Sequence, residues 1–233
     1  MRCKIVITDE VNVKIEGLPV DVRRKIANKF KFAVPYARYL PQYKLGRWDG
    51  KVGFFGLGGN GYVNHLDKII EYLHESGVEI EEVNDKREKF DLTFDKVDKN
   101  YFSAKTWPKG HLCEGQPIEL RDYQVDVINN FIKEPQSLQE VATGAGKTII
   151  TAALSSICEK FGRTLVIVPN KGLVTQTEED YVNVGLDVGV YFGDRKELNR
   201  THTICTWQSL NVLDKKGKAG ESVFTLTDFL DGV

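Results

Sequence analysis

The first third of the chain alternates between β-type and helical spacing of its hydrophobic residues. Short stretches with a period of two predict strands, and stretches with apolar residues three or four apart predict helices. The predicted elements are a hairpin of Lys4–Thr8 and Asn12–Ile15, helices at Pro19–Phe30 and Leu66–Ser76, an irregular segment at Tyr36–Trp48, and strands at Val52–Phe55 and Val78–Val83. We therefore predict a small α+β domain over residues 1–84.

A charged segment over residues 85–112 separates this part from a second pattern. Phe90, Leu92 and Phe94 alternate within it, so we expect a linker with one short strand. From Leu120 onward strands and helices alternate, which predicts a doubly wound α/β domain over residues 113–233. The predicted elements are helices at Asp122–Ile132, Thr148–Ile157 and Gly172–Val182, and strands at Ser137–Val141, Arg163–Val168, Val188–Phe192 and Thr203–Thr206. Arg163–Val168 is apolar enough to predict a buried parallel strand.

Residues 142–148 read ATGAGKT, between a predicted strand and a predicted helix, and predict a phosphate-binding loop. Glycines at 144 and 146 leave room for backbone N–H groups to surround an anion, and the following helix directs its N-terminal donors at it. The expected nucleotide-binding residues of the loop are Thr143, Gly144, Ala145, Gly146, Lys147 and Thr148. Lys147 is expected to hold the β- and γ-phosphates of ATP, and Thr148 to be the Mg²⁺ ligand. Val141 stands where the general pattern has glycine, which favours a helicase-type loop.

Net charge is −1 over 233 residues and identifies no partner, but its distribution is uneven. Residues 23–51 carry nine basic residues and one acidic residue, a net charge of +8, interleaved with aromatic residues. Basic and aromatic side chains together are typical of nucleic-acid surfaces, because cations neutralise phosphates and rings stack on bases. A small aromatic core with a solvated basic face explains the same pattern equally well.

The four cysteines are far apart and form no C-x-x-C pair, which argues against a zinc site or a disulfide framework. The N-terminus lacks the apolar region of a signal peptide, and no apolar run approaches the roughly 20 residues that span a bilayer. We expect a cytoplasmic protein without a membrane partner.

Four motifs follow one another in a characteristic order: LRDYQ, ATGAGKT, VIVPNKGLVTQ and TWQSL. This order over Leu120–Leu210 resembles the first RecA-like domain of superfamily 2 helicases. The resemblance implies that Gln124, with Arg121 beside it, recognises adenine, whose edge an amide can both donate to and accept from. It also implies that Pro169, Lys171, Gly193, Thr206 and Gln208 grip the backbone of a nucleic-acid strand without reading its bases. Taken singly, Thr206 could simply end a strand and cap a helix.

Tyr43–Lys51, YKLGRWDGK, resembles the N-terminal domain of UvsW-type phage helicases, which remodel branched DNA in recombination and replication restart. The resemblance implies that Arg38, Lys44, Arg47 and Lys51 contact DNA. Trp48 is expected to anchor the core of the small domain instead.

The chain shows no acid pair of the D-E-x-H type after Leu210 and no second RecA-like domain. We therefore expect a fragment, monomeric and of low activity, of an ATP-dependent DNA helicase. Two alternatives are the motor subunit of a restriction-type translocase and a non-catalytic DNA-binding module. A P-loop kinase is less consistent with the motifs. RNA is not excluded as the bound strand, because backbone contacts look alike without a contact to the 2′-hydroxyl.

Overall fold

The computed structural model describes residues 1–88 and 92–233 and divides the chain into two compact units, Met1–Asp91 and Leu92–Val233. The first unit contains strands β1 (Arg2–Ile7), β2 (Asn12–Glu16), β3 (Lys31–Ala33), β4 (Lys51–Gly53), β5 (Asn60–Tyr62) and β6 (Glu79–Asp85), helices α1 (Val20–Lys29), α2 (Pro41–Lys44) and α3 (Leu66–Glu75), and 3-10 helices at Ala37–Tyr39 and Val63–His65.

A four-stranded sheet in the order β5-β2-β1-β6 carries the core of the first unit. The predicted hairpin is confirmed, because β1 pairs antiparallel with β2 and places Ile5 opposite Ile15. Alternate residues of these strands are buried, and α1 and α3 cover them with Ile26, Ile69 and Leu73, all fully buried. The apolar faces of the strands and of the helices thus pack together in one core.

The segment from Tyr36 to Trp48 is more regular than predicted. It contains a 3-10 helix and α2, whose first residue is Pro41, a position at which proline costs no backbone hydrogen bond. Trp48 is not the core anchor that we expected. It is half-buried, lies outside the core cluster, and donates from Nε1 to the Lys51 carbonyl oxygen at 2.7 Å. An indole with a polar N–H is well satisfied at such a boundary position.

The second unit is a doubly wound α/β domain, as predicted. Its elements are helices α4 (Asp122–Lys133), α5 (Lys147–Cys158), α6 (Lys171–Asn183), α7 (Trp207–Lys218) and α8 (Leu226–Leu230), and strands β7 (Thr164–Val168), β8 (Val188–Phe192), β9 (Arg195–Lys196) and β10 (His202–Thr206). The sheet order is β7-β10-β8-β9, with β7, β10 and β8 parallel and β9 antiparallel to β8.

Neighbouring residues of the central strands enter different cores. Val190 and Ile204 are buried in the cluster that includes residues of α4, α5 and α6, whereas Tyr191 and Cys205 are buried with residues of α7 and α8. Because successive side chains of a strand point to opposite faces, helices cover both faces of the sheet.

Three expectations for the second unit need correction. Residues 137–141 form no strand, and Leu138 is almost fully exposed, because strand formation requires a pairing partner that the described residues do not provide there. Strand β7 lies at the edge of the sheet with Ile167 54% exposed, so it is not the buried strand that its composition predicts. No strand forms at Leu92 or Phe94, and Phe90 lies outside the described residues.

Part of the segment expected to be a linker belongs to the second core. Val97 and Phe102 are buried in the same cluster as Ile128 of α4, and Asn129 binds both the N–H and the C=O of Val97. Among the described residues, no helix is long and apolar enough to cross a bilayer.

Candidate nucleotide and nucleic-acid sites

The ATGAGKT loop lies at the N-terminus of α5, where two glycines adopt left-handed backbone conformations. Gly144 has φ +80° and Gly146, the N-cap residue of α5, has φ +73°. A side chain at position 146 would also bring its Cβ within 2.7 Å of Gln124 Nε2. Gly144 is therefore required by backbone conformation alone, and Gly146 by conformation and by space.

The Lys147 side chain lies across the loop. Its Nζ donates to the carbonyl oxygens of Val141 at 3.2 Å and Ala142 at 3.0 Å. The ammonium is thus positioned at the mouth of the loop, and the surrounding Thr143, Gly144 and Gly146 are exposed. A polyphosphate binding there has to replace those two carbonyl contacts.

Gln124 joins the start of α4 to the phosphate loop. Its side chain is buried, accepts from the Arg121 backbone N–H at 2.9 Å, and donates from Nε2 to the Ala145 carbonyl oxygen at 3.0 Å. Tyr123 Oη donates to the same carbonyl at 2.8 Å and accepts from the Arg121 guanidinium at 2.9 Å. After these contacts the Gln124 amide still has one N–H to donate and a lone pair to accept with. These are the two groups that the predicted adenine recognition requires.

A cavity of about 690 Å³ opens beside the loop, within the range of small-molecule sites. Gly144, Gly146, Arg121 and Gln124 line it. Two further lining residues, Trp107 and His111, were not predicted, and their ring centroids stack at 4.0 Å.

The Trp107 segment is held as a small hairpin. Trp107 N–H donates to the Gln116 carbonyl oxygen, Gly115 N–H donates to the Trp107 carbonyl oxygen, and Thr106 bridges Pro117. Two prolines and two glycines between Trp107 and Pro117 indicated a turn in the sequence, but nothing indicated that the turn faces the nucleotide loop.

Asp180 of α6 also lines the cavity and was not predicted. Burial raises the pKa of its carboxyl group, and the neighbouring Thr148 hydroxyl works in the opposite direction. The expected Mg²⁺ ligand therefore lies beside a second oxygen donor. Oxygen donors of this kind fit Mg²⁺, which prefers hard ligands and keeps several of its waters.

A second cavity, of about 930 Å³, gathers the predicted strand-gripping residues, and we call it the strand-end groove. Pro169, Lys171, Gly193, Thr206 and Gln208 all line it. Pro169 follows β7, Gly193 follows β8, and Thr206 ends β10. Because the carboxyl ends of parallel strands meet at one edge of a sheet, residues far apart in sequence converge there.

Two residues of this groove also have structural roles. Thr206 is the N-cap of α7 and accepts from the Ser209 N–H, and Asn170 is the N-cap of α6 and accepts from the Leu173 N–H. Thr206 therefore does end a strand and cap a helix, as the alternative interpretation expected. The same residue also lines the groove, so the two roles are compatible.

The basic segment of the first unit is exposed. Arg38, Lys44, Arg47 and Lys51 are all solvent-accessible. The tyrosines between them are exposed as well: Tyr36 at 61%, Tyr39 at 64% and Tyr43 at 44%. The Arg38 guanidinium lies 4.8 Å from the centre of the Tyr39 ring. These rings do not form the aromatic core that the sequence left open as an alternative.

A phosphate loop at the start of a helix and a groove at the carboxyl ends of parallel strands, carried by one doubly wound domain, are features of a RecA-like domain. Residues 117–226 match the family described as "Type III restriction enzyme, res subunit".

Two known proteins are similar to this chain in sequence. The chain is 26% identical over 162 residues to the ATP-dependent DNA helicase uvsW of Enterobacteria phage T4, a match that covers 67% of the chain and 31% of that protein. It is 36% identical over 94 residues to the DNA 3'-5' translocase XPB2 of Sulfurisphaera tokodaii, covering 40% of the chain and 20% of the relative. These matches confirm the resemblance to superfamily 2 helicases of the UvsW type.

The fold agrees with a solved structure. The crystal structure of the UvsW helicase from bacteriophage T4 superposes with a TM-score of 0.67 at 18% identity, over 93% of this chain and 79% of that chain. At this identity the likeness establishes the fold. The chain spans between 16% and 31% of the length of the curated relatives that it matches.

Proposed function

We propose that this chain is the nucleotide-binding part of an ATP-dependent DNA helicase that remodels branched DNA in recombination, repair and replication restart. The observation that carries the proposal is the presence of a phosphate loop and a strand-end groove on one RecA-like domain. The names of relatives that are DNA helicases and translocases support it.

In this proposal Lys147 leaves its two carbonyl contacts and binds the β- and γ-phosphates of ATP. Backbone N–H groups from Thr143 to Thr148 surround the phosphates, and Gln124 and Arg121 contact the adenine. Bound Mg²⁺, with Thr148 as its protein ligand, neutralises phosphate charge. Residues 211–233 contain no adjacent pair of acidic residues. We therefore expect this chain to bind ATP but to hydrolyse it slowly.

The strand-end groove is proposed to hold the sugar-phosphate backbone of one DNA strand. Lys171 supplies the charge, and Pro169, Gly193, Thr206 and Gln208 shape the contact. In the first unit, Arg38, Lys44, Arg47 and Lys51 are proposed to bind DNA phosphates near a branch, with the exposed tyrosines available for stacking.

A second candidate is the motor subunit of a restriction-type translocase, which the description of the matching family favours. The two candidates differ in the DNA that they prefer. A branch-remodelling enzyme should bind forked DNA more tightly than linear duplex of equal length, whereas a duplex translocase should bind both alike.

The direct test measures Mg²⁺-ATP binding by the 233-residue chain and by Lys147→Ala, using a fluorescent ATP analogue. Charge-assisted contacts are worth roughly 1.5–3 kcal/mol, so we expect binding to weaken by about 10- to 100-fold. Lys133→Ala, an exposed lysine at the end of α4, is the matched control and should bind like the wild type. Equal binding by Lys147→Ala would refute the nucleotide site.

DNA binding by the first unit is tested separately with Lys44→Gln and Lys68→Gln. Lys68 is an exposed lysine of α3, outside the basic segment, and serves as control. We expect Lys44→Gln alone to reduce the salt dependence of forked-DNA affinity by about one unit of slope, since it removes one phosphate contact. Identical slopes for both variants would remove Lys44 from the DNA interface.

A further inference from the structure

A network of charged side chains supports the strand-end groove from outside. The Arg195 guanidinium binds Glu178 of α6 with two parallel hydrogen bonds, at 2.7 Å and 2.6 Å. It also binds Glu197 Oε1 at 3.1 Å and 2.6 Å. Hydrogen bonds from its guanidinium to Glu178 and then Glu197 raise the pKa of Arg195. Bidentate pairing of this kind fixes orientation as well as distance.

The network connects two elements that carry groove residues. Arg195 begins β9, directly after the Gly193-Asp194 turn from β8, and Phe192 pairs with Arg195 across that turn. Glu178 lies on α6, whose first residue is Lys171. Gly193 has φ +52°, and a Cβ there would lie 3.8 Å from Lys171 Nζ, so turn and lysine are close neighbours.

The two partners of the bidentate pair do not line the groove themselves. Gly193 and Asp194 of the β8–β9 turn line it, as do Lys196 of β9 and Lys171 of α6, whereas Arg195 and Glu178 do not. Glu178 is the more sheltered partner, with 18% of its side chain exposed against 45% for Arg195. The network therefore fixes the position of the turn relative to the helix without itself lining the groove.

We propose that Arg195 and Glu178 are positioning residues that hold the β8–β9 turn at the distance from the start of α6 that a nucleic-acid backbone requires. Backbone N–H groups of a turn bind phosphate only when they are held in place, because ordering them on binding costs free energy. The inference rests on the proposed function, since it assumes that the strand-end groove binds DNA.

The positioning role of Glu178 predicts the opposite change in DNA affinity from the one that net charge alone predicts. Removing an acid makes the protein more positive, which by itself should strengthen binding to DNA. If Glu178 acts by holding Arg195, then Glu178→Ala should weaken binding. Glu179→Ala removes the same charge from the next position of the same helix, at an exposed residue outside the network, and is the matched control.

The experiment measures the affinity of the full chain for a fluorescently labelled oligothymidine at several salt concentrations. Arg195→Ala and Glu178→Ala should each weaken binding by about three- to ten-fold, and the double variant should be no weaker than either one. The slope against salt should stay that of the wild type, because neither residue touches phosphate. Lys171→Gln, a direct contact, should reduce the slope by about one.

Three results would overturn the inference. If Glu178→Ala binds as tightly as Glu179→Ala or more tightly, the pair has no positioning role. If Arg195→Ala reduces the salt slope by about one, Arg195 contacts phosphate directly. If the wild type and Lys171→Gln bind alike at every salt concentration, the groove is not the DNA site, and the proposed function of the groove fails together with the inference. In the first two cases the groove remains a DNA site.

Discussion

The phosphate loop and the strand-end groove lie on the same domain but are built in different ways. The loop consists of seven consecutive residues, 142–148, and Gln124 bonds directly to it. The groove is assembled from the ends of three strands and the starts of two helices. Local backbone conformation shapes the loop, whereas the order of the strands shapes the groove. Damage to one site should therefore leave the other intact.

Gly146→Ala is the most severe test of this separation. An L-residue in the left-handed conformation costs about 1–2 kcal/mol, and the added Cβ would press on Gln124 Nε2. We expect ATP affinity to fall by at least about 30-fold, while affinity for single-stranded DNA in the groove stays within about two-fold of the wild type. Both are measured on the same preparation by fluorescence anisotropy.

The matched control for that variant is Gly220→Ala. Gly220 has φ +71°, but a Cβ there meets nothing within 4 Å. It should lower the melting temperature and leave ATP binding unchanged. If both variants lost ATP binding equally, backbone strain anywhere in the domain would explain the effect, and the local character of the phosphate loop would be disproved.

Gln124→Ala tests the connection between α4 and the loop. It removes the acceptor of the Arg121 N–H and a donor to the Ala145 carbonyl, two part-buried hydrogen bonds, which costs about 1–3 kcal/mol of stability. We expect a lower melting temperature and roughly ten-fold weaker ATP binding. Gln116→Ala, an exposed glutamine lining the same cavity, should keep the wild-type melting temperature. A loss of DNA binding at the groove in Gln124→Ala would show that the two sites are coupled.

Thr206→Val tests the groove and should have the smallest effect. The change keeps the shape of the side chain but removes the N-cap acceptor of α7, worth about 1 kcal/mol. Single-stranded DNA should bind about three- to five-fold more weakly, with ATP binding unchanged. Thr225→Val, which removes the N-cap of α8 instead, should cost similar stability without affecting DNA binding. Equal DNA binding by both variants would leave Thr206 with a capping role alone.

Most elements of the fold were predictable because their apolar periodicity is local. The hairpin of β1 and β2 and the helices α1, α3, α4 and α6 all lie within one or two residues of their predicted bounds. The failures at residues 137–141 and at β7 have a common cause. β-Propensity is a property of one segment of sequence. Strand pairing and burial depend on the neighbouring strands of the sheet, which that segment does not reveal.

The two candidate sites were predictable to different degrees for the same reason. The loop residues from Thr143 to Thr148 were found from adjacent sequence. The residues of the groove were named from a family resemblance, and the fold then brought them to one sheet edge. Trp107, His111 and Asp180 were missed, because nothing in the sequence indicates that their segments face the loop. Arg195 was missed because its bidentate partner Glu178 lies on α6, 17 residues earlier in the sequence.

The hydrogen bonds of Lys147 have a consequence for which anions occupy the loop. Two carbonyl oxygens compete with any anion for this ammonium, so only the fraction of molecules in which those bonds are broken is ready to bind. A weak anion such as chloride or a single phosphate gains too little to displace both. A triphosphate, which also engages the backbone N–H groups of the loop, gains enough. This intramolecular competition lowers the affinity of every anion by the same factor. Short anions, whose affinity is low to begin with, then leave the loop empty at concentrations at which a triphosphate still fills it.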